Sequence, residues 1–215
     1  MPAGEAVMMH RRYQSGIYSL IAVYMALMVA CSLTVGLPKL ERDDVVLAFG
    51  DSITFGTGAA PQESYPAVLE KIIGRRVVNA GVPGEITAGG LARLPKVLER
   101  EKPALVIICL GGNDLLRGMS KKQAADNIRE MVRLTIQQGS AVVLIGAPAL
   151  GLSLSPEPFY REIAEEMHLA LEEKTLSEIL ADRTLKADLI HPNAAGYRRL
   201  AEAVAVLMKK NGAIE

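Results

Sequence analysis

A serine is a candidate nucleophile when it stands where a strand runs out into a turn. Ser52 stands so, in the pentad Gly50-Asp51-Ser52-Ile53-Thr54 that follows the apolar run Val45–Phe49. In an open α/β sheet, ligands bind beyond the carboxyl ends of the strands, so a hydroxyl there faces a crevice and not the core. The neighbouring Gly50, Gly56 and Gly58 let the backbone bend tightly and approach a ligand. An alcohol is a weak nucleophile at neutral pH; it needs a base, and the base needs an orienting acid. Asp188 and His191, three residues apart in Asp188-Leu189-Ile190-His191-Pro192, can supply both. In a loop that spacing lets the carboxylate reach the imidazole Nδ1 and leaves Nε2 to face Ser52, while Pro192 disfavours a helical conformation at His191. Taken alone, Gly-Asp-Ser is also ordinary turn composition, and the Asp188–His191 pair also reads as a solvated loop at a helix entry. The other two histidines compete poorly: His10 precedes an N-terminal apolar run, and His168 sits in an element expected to pack structurally.

Two further segments change the weight of those readings. Asn79-Ala80-Gly81 follows Val77-Val78, and Gly111-Gly112-Asn113-Asp114 follows Leu105–Leu110, a continuous β-rich run of the kind expected in a strand buried on both faces. These four blocks, in this order, resemble the SGNH (GDSL) hydrolase family, and in particular its bacterial arylesterase, lysophospholipase and thioesterase I branch. The resemblance runs from about Val45 to the C-terminus, and its specificity lies in the joint occurrence and order of the blocks. It implies a catalytic set of Ser52, Asp188 and His191, and an oxyanion hole formed by the backbone N–H groups of Ser52 and Gly81 with the side-chain amide of Asn113. Such a hole answers a physical need, because acyl transfer develops negative charge on the former carbonyl oxygen and that charge requires fixed donors. Asp51 and Asp114 are expected in supporting roles, organising loops through backbone hydrogen bonds.

Composition bounds the remaining possibilities. At 215 residues the chain suits one domain with a full hydrophobic core once an N-terminal segment is set aside. Lys plus Arg and Asp plus Glu both number 24, so no global field favours a polyanion, and the absence of a basic stripe with interleaved aromatics argues against nucleic-acid binding. With only Cys31 and Cys109 there is no disulfide framework to read, and Cys109 is simplest as a small buried hydrophobe. From Ile17 to Leu37 run 21 residues without a charge, preceded by Arg11-Arg12 and followed by Lys39, Glu41 and Arg42. Residues 1–38 therefore read as a signal peptide or membrane anchor, and 39–215 as the hydrolase domain. Met28-Val29-Ala30-Cys31 resembles a bacterial lipobox, with Met and Val where Leu and a smaller residue are usual. An uncleaved anchor, lipidation at Cys31 and a plain cleaved signal stay open, and all three export the domain to the periplasm or cell envelope.

To position these residues, apolar β-rich runs must alternate with helical patterns, which predicts a parallel sheet covered on both faces. Strands are expected at Val45–Phe49, Arg76–Asn79, Leu105–Leu110 and Ala141–Gly146, with a short fifth at His168–Leu171. Helices are expected at Tyr65–Ile73, near Leu91–Arg100 with Pro95 marking a kink or late start, at Lys121–Gln138 capped by Ser120, near Phe159–Met167 and near Ala195–Lys209. Five strands and the family resemblance favour an α/β fold of the three-layer α/β/α, flavodoxin-like kind. The apolar loop from Ala147 to Leu154, with Leu115-Leu116, is a candidate acyl groove. The reading is a serine esterase that uses no cofactor and no metal, acting on a small-molecule or lipid ester (aryl or acyl esters, lysophospholipids or thioesters). Two rivals come from other classes. A metal-dependent phosphoesterase would use Asp51, Asn113, Asp114 and His191 as ligands, but its histidine supply is thin. A non-catalytic envelope binding module would keep the fold without the activity.

Overall fold

A computed structural model of the chain describes residues 36–149 and 154–215. The N-terminal run therefore lies outside the described residues up to Val35, as do Cys31 and loop residues 150–153. Leu37, at the end of that run, is buried in the domain core. Its N–H is donated to Asn211 O and that of Leu40 to Ala213 O, so this segment docks against the C-terminal residues before the first strand begins.

The first strand, β1 (Val46–Gly50), is buried at every position and pairs in parallel with both β2 (Val77–Gly81) and β3 (Leu105–Cys109). Next in the sheet lies β4 (Ala141–Ile145), and the short β5 (Ala170–Glu172) forms the edge, giving the parallel order β2-β1-β3-β4-β5. This is the flavodoxin-like order. Its topological switch point lies between β1 and β3, where chain segments leave in opposite directions and open a crevice beyond the strand ends. The aliphatic runs of β1, β3 and β4 are explained by burial on both faces.

Helices α2 (Tyr65–Ile73) and α8 (Ala194–Lys210) pack together, and α7 (Thr175–Ala181) packs on α8. A second set joins α3 (Thr87–Glu101), α5 (Lys121–Gln137) and α6 (Pro158–Glu166). Two short helices, α1 (Ser52–Phe55) and α4 (Gly112–Leu116), stand directly at the ends of β1 and β3. The α5 helix begins as its sequence suggests: Ser120 Oγ accepts the Gln123 N–H at 3.2 Å, and Ala124, Ile128, Met131, Val132 and Thr135 form its buried stripe. Each large aliphatic side chain buried this way contributes about 1.5–3 kcal/mol.

Besides β2, which runs on to Gly81 where Asn79 was expected, three elements depart from expectation. The α3 helix starts at Thr87, four residues before the expected Leu91, because its cap comes from another element. Asp114 accepts the Thr87 N–H at 2.9 Å and the Thr87 hydroxyl at 2.7 Å. Pro95 sits inside this helix on its exposed side, where the missing hydrogen bond is compensated by buried Leu94, Val97 and Leu98. The fifth strand begins at Ala170, because His168, at φ 53, belongs to the turn that precedes it. Finally, α7 had no counterpart in the sequence reading, although Leu176, Ile179 and Leu180 carry the i, i+3, i+4 spacing of a buried helical face. The sequence cue is weak because the helix is only seven residues long and has no side-chain cap at Lys174.

Candidate active site

Ser52 is the first residue of α1, set there by Asp51, whose carboxylate accepts the Ile53 N–H at 3.0 Å as an N-cap. The first N–H groups of a helix have no partners within it, so the Ser52 N–H is not spent inside α1. Its hydroxyl Oγ lies 3.0 Å from His191 Nε2, and His191 Nδ1 lies 2.8 Å from Asp188 Oδ2. The other Asp188 oxygen accepts the N–H groups of Ile190 and His191, both at 2.8 Å. The loop is closed at its base by Ala187 N–H donating to His191 O at 2.9 Å and by an antiparallel bridge between Lys186 and Pro192. Partial burial pushes the Asp188 carboxyl up, but the hydrogen bonds from the His191 ring and the two loop amides outweigh it and hold the group below its ordinary value.

Asn113 projects from α4 at the end of β3. Its amide nitrogen donates to Glu85 O at 3.0 Å and to Asp51 Oδ2 at 3.2 Å. Burial raises the Asp51 pKa to about 6, against the opposing hydrogen bond from Ile53 N–H. Asp114 joins α4 to α3 through Thr87, and Asn127 extends that chain with a 2.9 Å bond to the Thr87 hydroxyl.

Gly81 is not among the residues that line the cleft around Ser52 and Asn113. It is the last residue of β2, in register with Gly50, and its N–H is donated to Asn79 Oδ1 at 2.9 Å. A glycine is needed here for packing, since a Cβ would run into the backbone of Phe55 in α1. The glycine nearer to Asn113 in the chain's course is Gly84, at φ 76 in the Val82–Glu85 turn, a conformation that disfavours other side chains. Among the described residues its N–H has no protein acceptor, and its neighbour Glu85 is the residue whose carbonyl holds Asn113. A strand expected to stop at Asn79 makes Gly81 the first glycine beyond it, whereas β2 runs on to Gly81 itself. A strand extended by two residues moves the turn onto the next one.

Ser52, Asn113 and His191 line one cleft of about 420 Å³, counting its open mouth. Its apolar walls come from Leu116, Ala147, Pro148 and Ile190, and from Leu176 and Leu180 of α7. The expected groove is present at Leu116 and at the start of the 147–154 loop, while the α7 leucines are an addition that sequence reasoning missed. Among the described residues no three His, Cys, Asp or Glu side chains come together as a metal-binding group.

A flavodoxin-like sheet with a Ser–His–Asp line at the carboxyl ends of its strands defines a class, the α/β/α serine hydrolases. Within it, this chain belongs to the GDSL-like Lipase/Acylhydrolase family, which it matches over residues 48–199. It is 37% identical over 199 residues to Esterase TesA of Pseudomonas aeruginosa, a match that covers 85% of this chain and 96% of that protein. To Thioesterase 1/protease 1/lysophospholipase L1 of Escherichia coli strain K12 it is 31% identical over 170 residues, covering 75% and 82%. A crystal structure of TesA superposes with a TM-score of 0.70 at 35% identity, covering 77% of this chain and 98% of that one. The chain is a carboxylic ester hydrolase of the serine class.

Proposed function

We propose that Ser52 is the acylated nucleophile, His191 its general base and Asp188 the acid that orients the imidazole. The observation that carries this is the continuous line from Asp188 Oδ2 through His191 Nδ1 and Nε2 to Ser52 Oγ, at 2.8 and 3.0 Å. Ser52 Oγ attacks the ester carbonyl as its proton passes to Nε2, and the alkoxide leaves as an alcohol by taking that proton. Water activated by the same imidazole then releases the acid. We assign the oxyanion to the N–H of Ser52, the amide of Asn113 and the N–H of Gly84, the last in place of Gly81. Asn113 serves by moving the N–H now directed at Asp51 onto the substrate oxygen, while its bond to Glu85 O keeps it aimed.

The substrate class follows from the walls. Leu116, Ala147, Pro148, Leu176 and Leu180 offer an acyl or aryl group an apolar surface beside the nucleophile and no charge to pair with. Short to medium acyl esters, aryl esters and single-chain lipid esters fit, and so do thioesters, whose carbonyl makes the same demands. The named relatives, an esterase and a thioesterase/lysophospholipase, support that range. The uncharged run before the domain supports export and attachment to a membrane. Recovery of the full-length chain free in the cytoplasm would sink that assignment, and loss of membrane retention in Cys31→Ala would select lipidation over a spanning helix.

The mechanism is tested with a fluorophosphonate probe. Labelling should occur at Ser52, remove activity on nitrophenyl esters, and be lost in Ser52→Ala, while wild-type activity persists in chelator. Activity removed by chelator and restored by a divalent ion, with Ser52 unlabelled, would overturn the acyl-enzyme and revive the metal-dependent phosphoesterase. No hydrolysis of any ester would leave a binding module.

A further inference from the structure

Arg93, on α3, does not line the cleft, yet it touches the backbone just before Ser52 and just before the Gly84 turn, and the side chain of Glu85, whose carbonyl holds Asn113. Its Nη2 lies 3.2 Å from Gly50 O, two residues before Ser52, and 2.8 Å from Ala80 O, where β2 gives way to the turn that carries Gly84. The same guanidinium grips Glu85 at the far end of that turn, with Nε at 2.7 and 3.0 Å and Nη2 at 2.7 Å from the carboxylate. Glu85 in turn offers its carbonyl to Asn113 Nδ2. Beneath the fork lies the Phe49 ring, its centroid 3.9 Å from Arg93 Cζ, which fixes the plane of the group from below. The Glu85 side chain is 9% exposed and that of Arg93 24%, so the pair is shielded from water on most sides.

Two strand ends whose carbonyls converge on one point repel each other unless a donor stands between them. A planar cation with several N–H groups in fixed directions can bridge two carbonyls and a carboxylate together, which a lysine ammonium on a flexible stem does poorly. We propose that Arg93, locked by Glu85, is a positioning residue for the oxyanion hole: it sets the spacing of Ser52, the Gly84 turn and Asn113 without touching the substrate. The inference rests on the oxyanion assignment above. Donors aimed at the transition state lose much of their effect when displaced by a fraction of an ångström to one ångström, so the effect belongs in kcat.

The test is a double-mutant cycle between Arg93→Met and Asn113→Ala, measured as kcat and KM on a short-chain nitrophenyl ester with melting temperatures alongside. In the wild-type background Arg93→Met should lower kcat by roughly 10- to 100-fold, leaving KM within about twofold and the pH midpoint of the reaction in place. In the Asn113→Ala background the same substitution should cost several-fold less, because the donor that it aims is already gone. Arg93→Lys should recover part of the loss. Should Arg93→Met fail to fold, Arg93→Lys and Glu85→Gln carry the same cycle. A lowered melting temperature with wild-type kcat, or a loss of equal size in both backgrounds, would make Arg93 a structural clamp only and overturn the proposal. Wild-type protein whose Ser52 resists a fluorophosphonate would instead overturn the acyl-enzyme reading. Labelling at Ser52 with unchanged kcat in the Arg93 variants overturns the positioning role alone.

Discussion

Asp188 and His191 lie three residues apart in one loop whose own backbone holds them, whereas Ser52 and Asn113 reach the cleft from the ends of two different strands, β1 and β3. On the acid–base side the same carboxylate orients the imidazole and accepts two amides of its own loop. The geometry is local and survives small shifts of the sheet. On the oxyanion side the order is supplied from outside, by Arg93 and Glu85 from behind and by Asp51 and Asp114 at the flanks. The aim of the base thus depends on a short stretch of chain, while the meeting of Ser52 with His191 and the stabilisation of charge depend on the register of the whole sheet.

The sharpest way to break that comparison is to remove the base. His191→Ala should lower kcat by about 10⁴-fold or more, and adding Asp188→Ala should cost far less than the product of the single losses, because the two act as one unit. Independent, multiplying losses in steady-state kinetics would show that Asp188 does not work through His191. Next in size is the oxyanion side: Asn113→Ala should lower kcat by roughly 10²–10³ with much less change in KM. Near-native kcat would take Asn113 out of the hole.

A smaller effect falls on the wall the two halves share. Leu180→Phe adds bulk to the α7 side of the cleft, so kcat/KM for longer acyl chains should drop by about 10-fold while acetyl esters change little, within the range that a few methylenes in an apolar pocket supply. A nitrophenyl ester series checks it, and a uniform loss across chain lengths would remove α7 from the acyl wall.

A last effect is on stability rather than rate, and here the two halves should differ in sign. Asp51 is raised by burial from 3.8 to about 6, so the folded state holds its proton more tightly than the unfolded one. Its contribution is complete below pH 3.8 and is lost as pH rises through about 6. Asp188 is held low, so its contribution is present above the unfolded value and lost as pH falls through the folded one. Asp51→Asn should therefore remove a stability difference of roughly 3 kcal/mol between acid and neutral pH. Melting temperatures across pH 3.5–7 would show it, on the order of the window those values define. An unchanged profile would mean that Asp51 titrates alike in both states.

Much of this was legible in the chain. The alternation of β-rich runs with helical stripes specifies a parallel sheet, because a strand buried on both faces admits little but aliphatic residues. The Ser52 turn and the Asp188–His191 spacing could be read because each is a local feature. Gly81 and Gly84 could not be told apart locally, since nothing nearby in the chain tells which glycine ends the ladder and which lies beyond it. That boundary is drawn by the Gly50–Gly81 register with β1 and by the approach of Phe55. The start of α3 was hidden for a similar reason, as its cap is a carboxylate from Asp114, 27 positions away.

By itself the sequence specified the α/β class, the alternation of strands with the longer helices, and Ser52, His191 and Asp188 as candidates, because periodicity and short spacing act within a few residues. Only the tertiary structure decided that α7 supplies a wall of the cleft, that the turn after β2 brings the Glu85 carbonyl to Asn113, and that one arginine binds the ends of β1 and β2. Those relations join residues far apart in the chain, and they exist only once the sheet has set its register and brought the strand ends together.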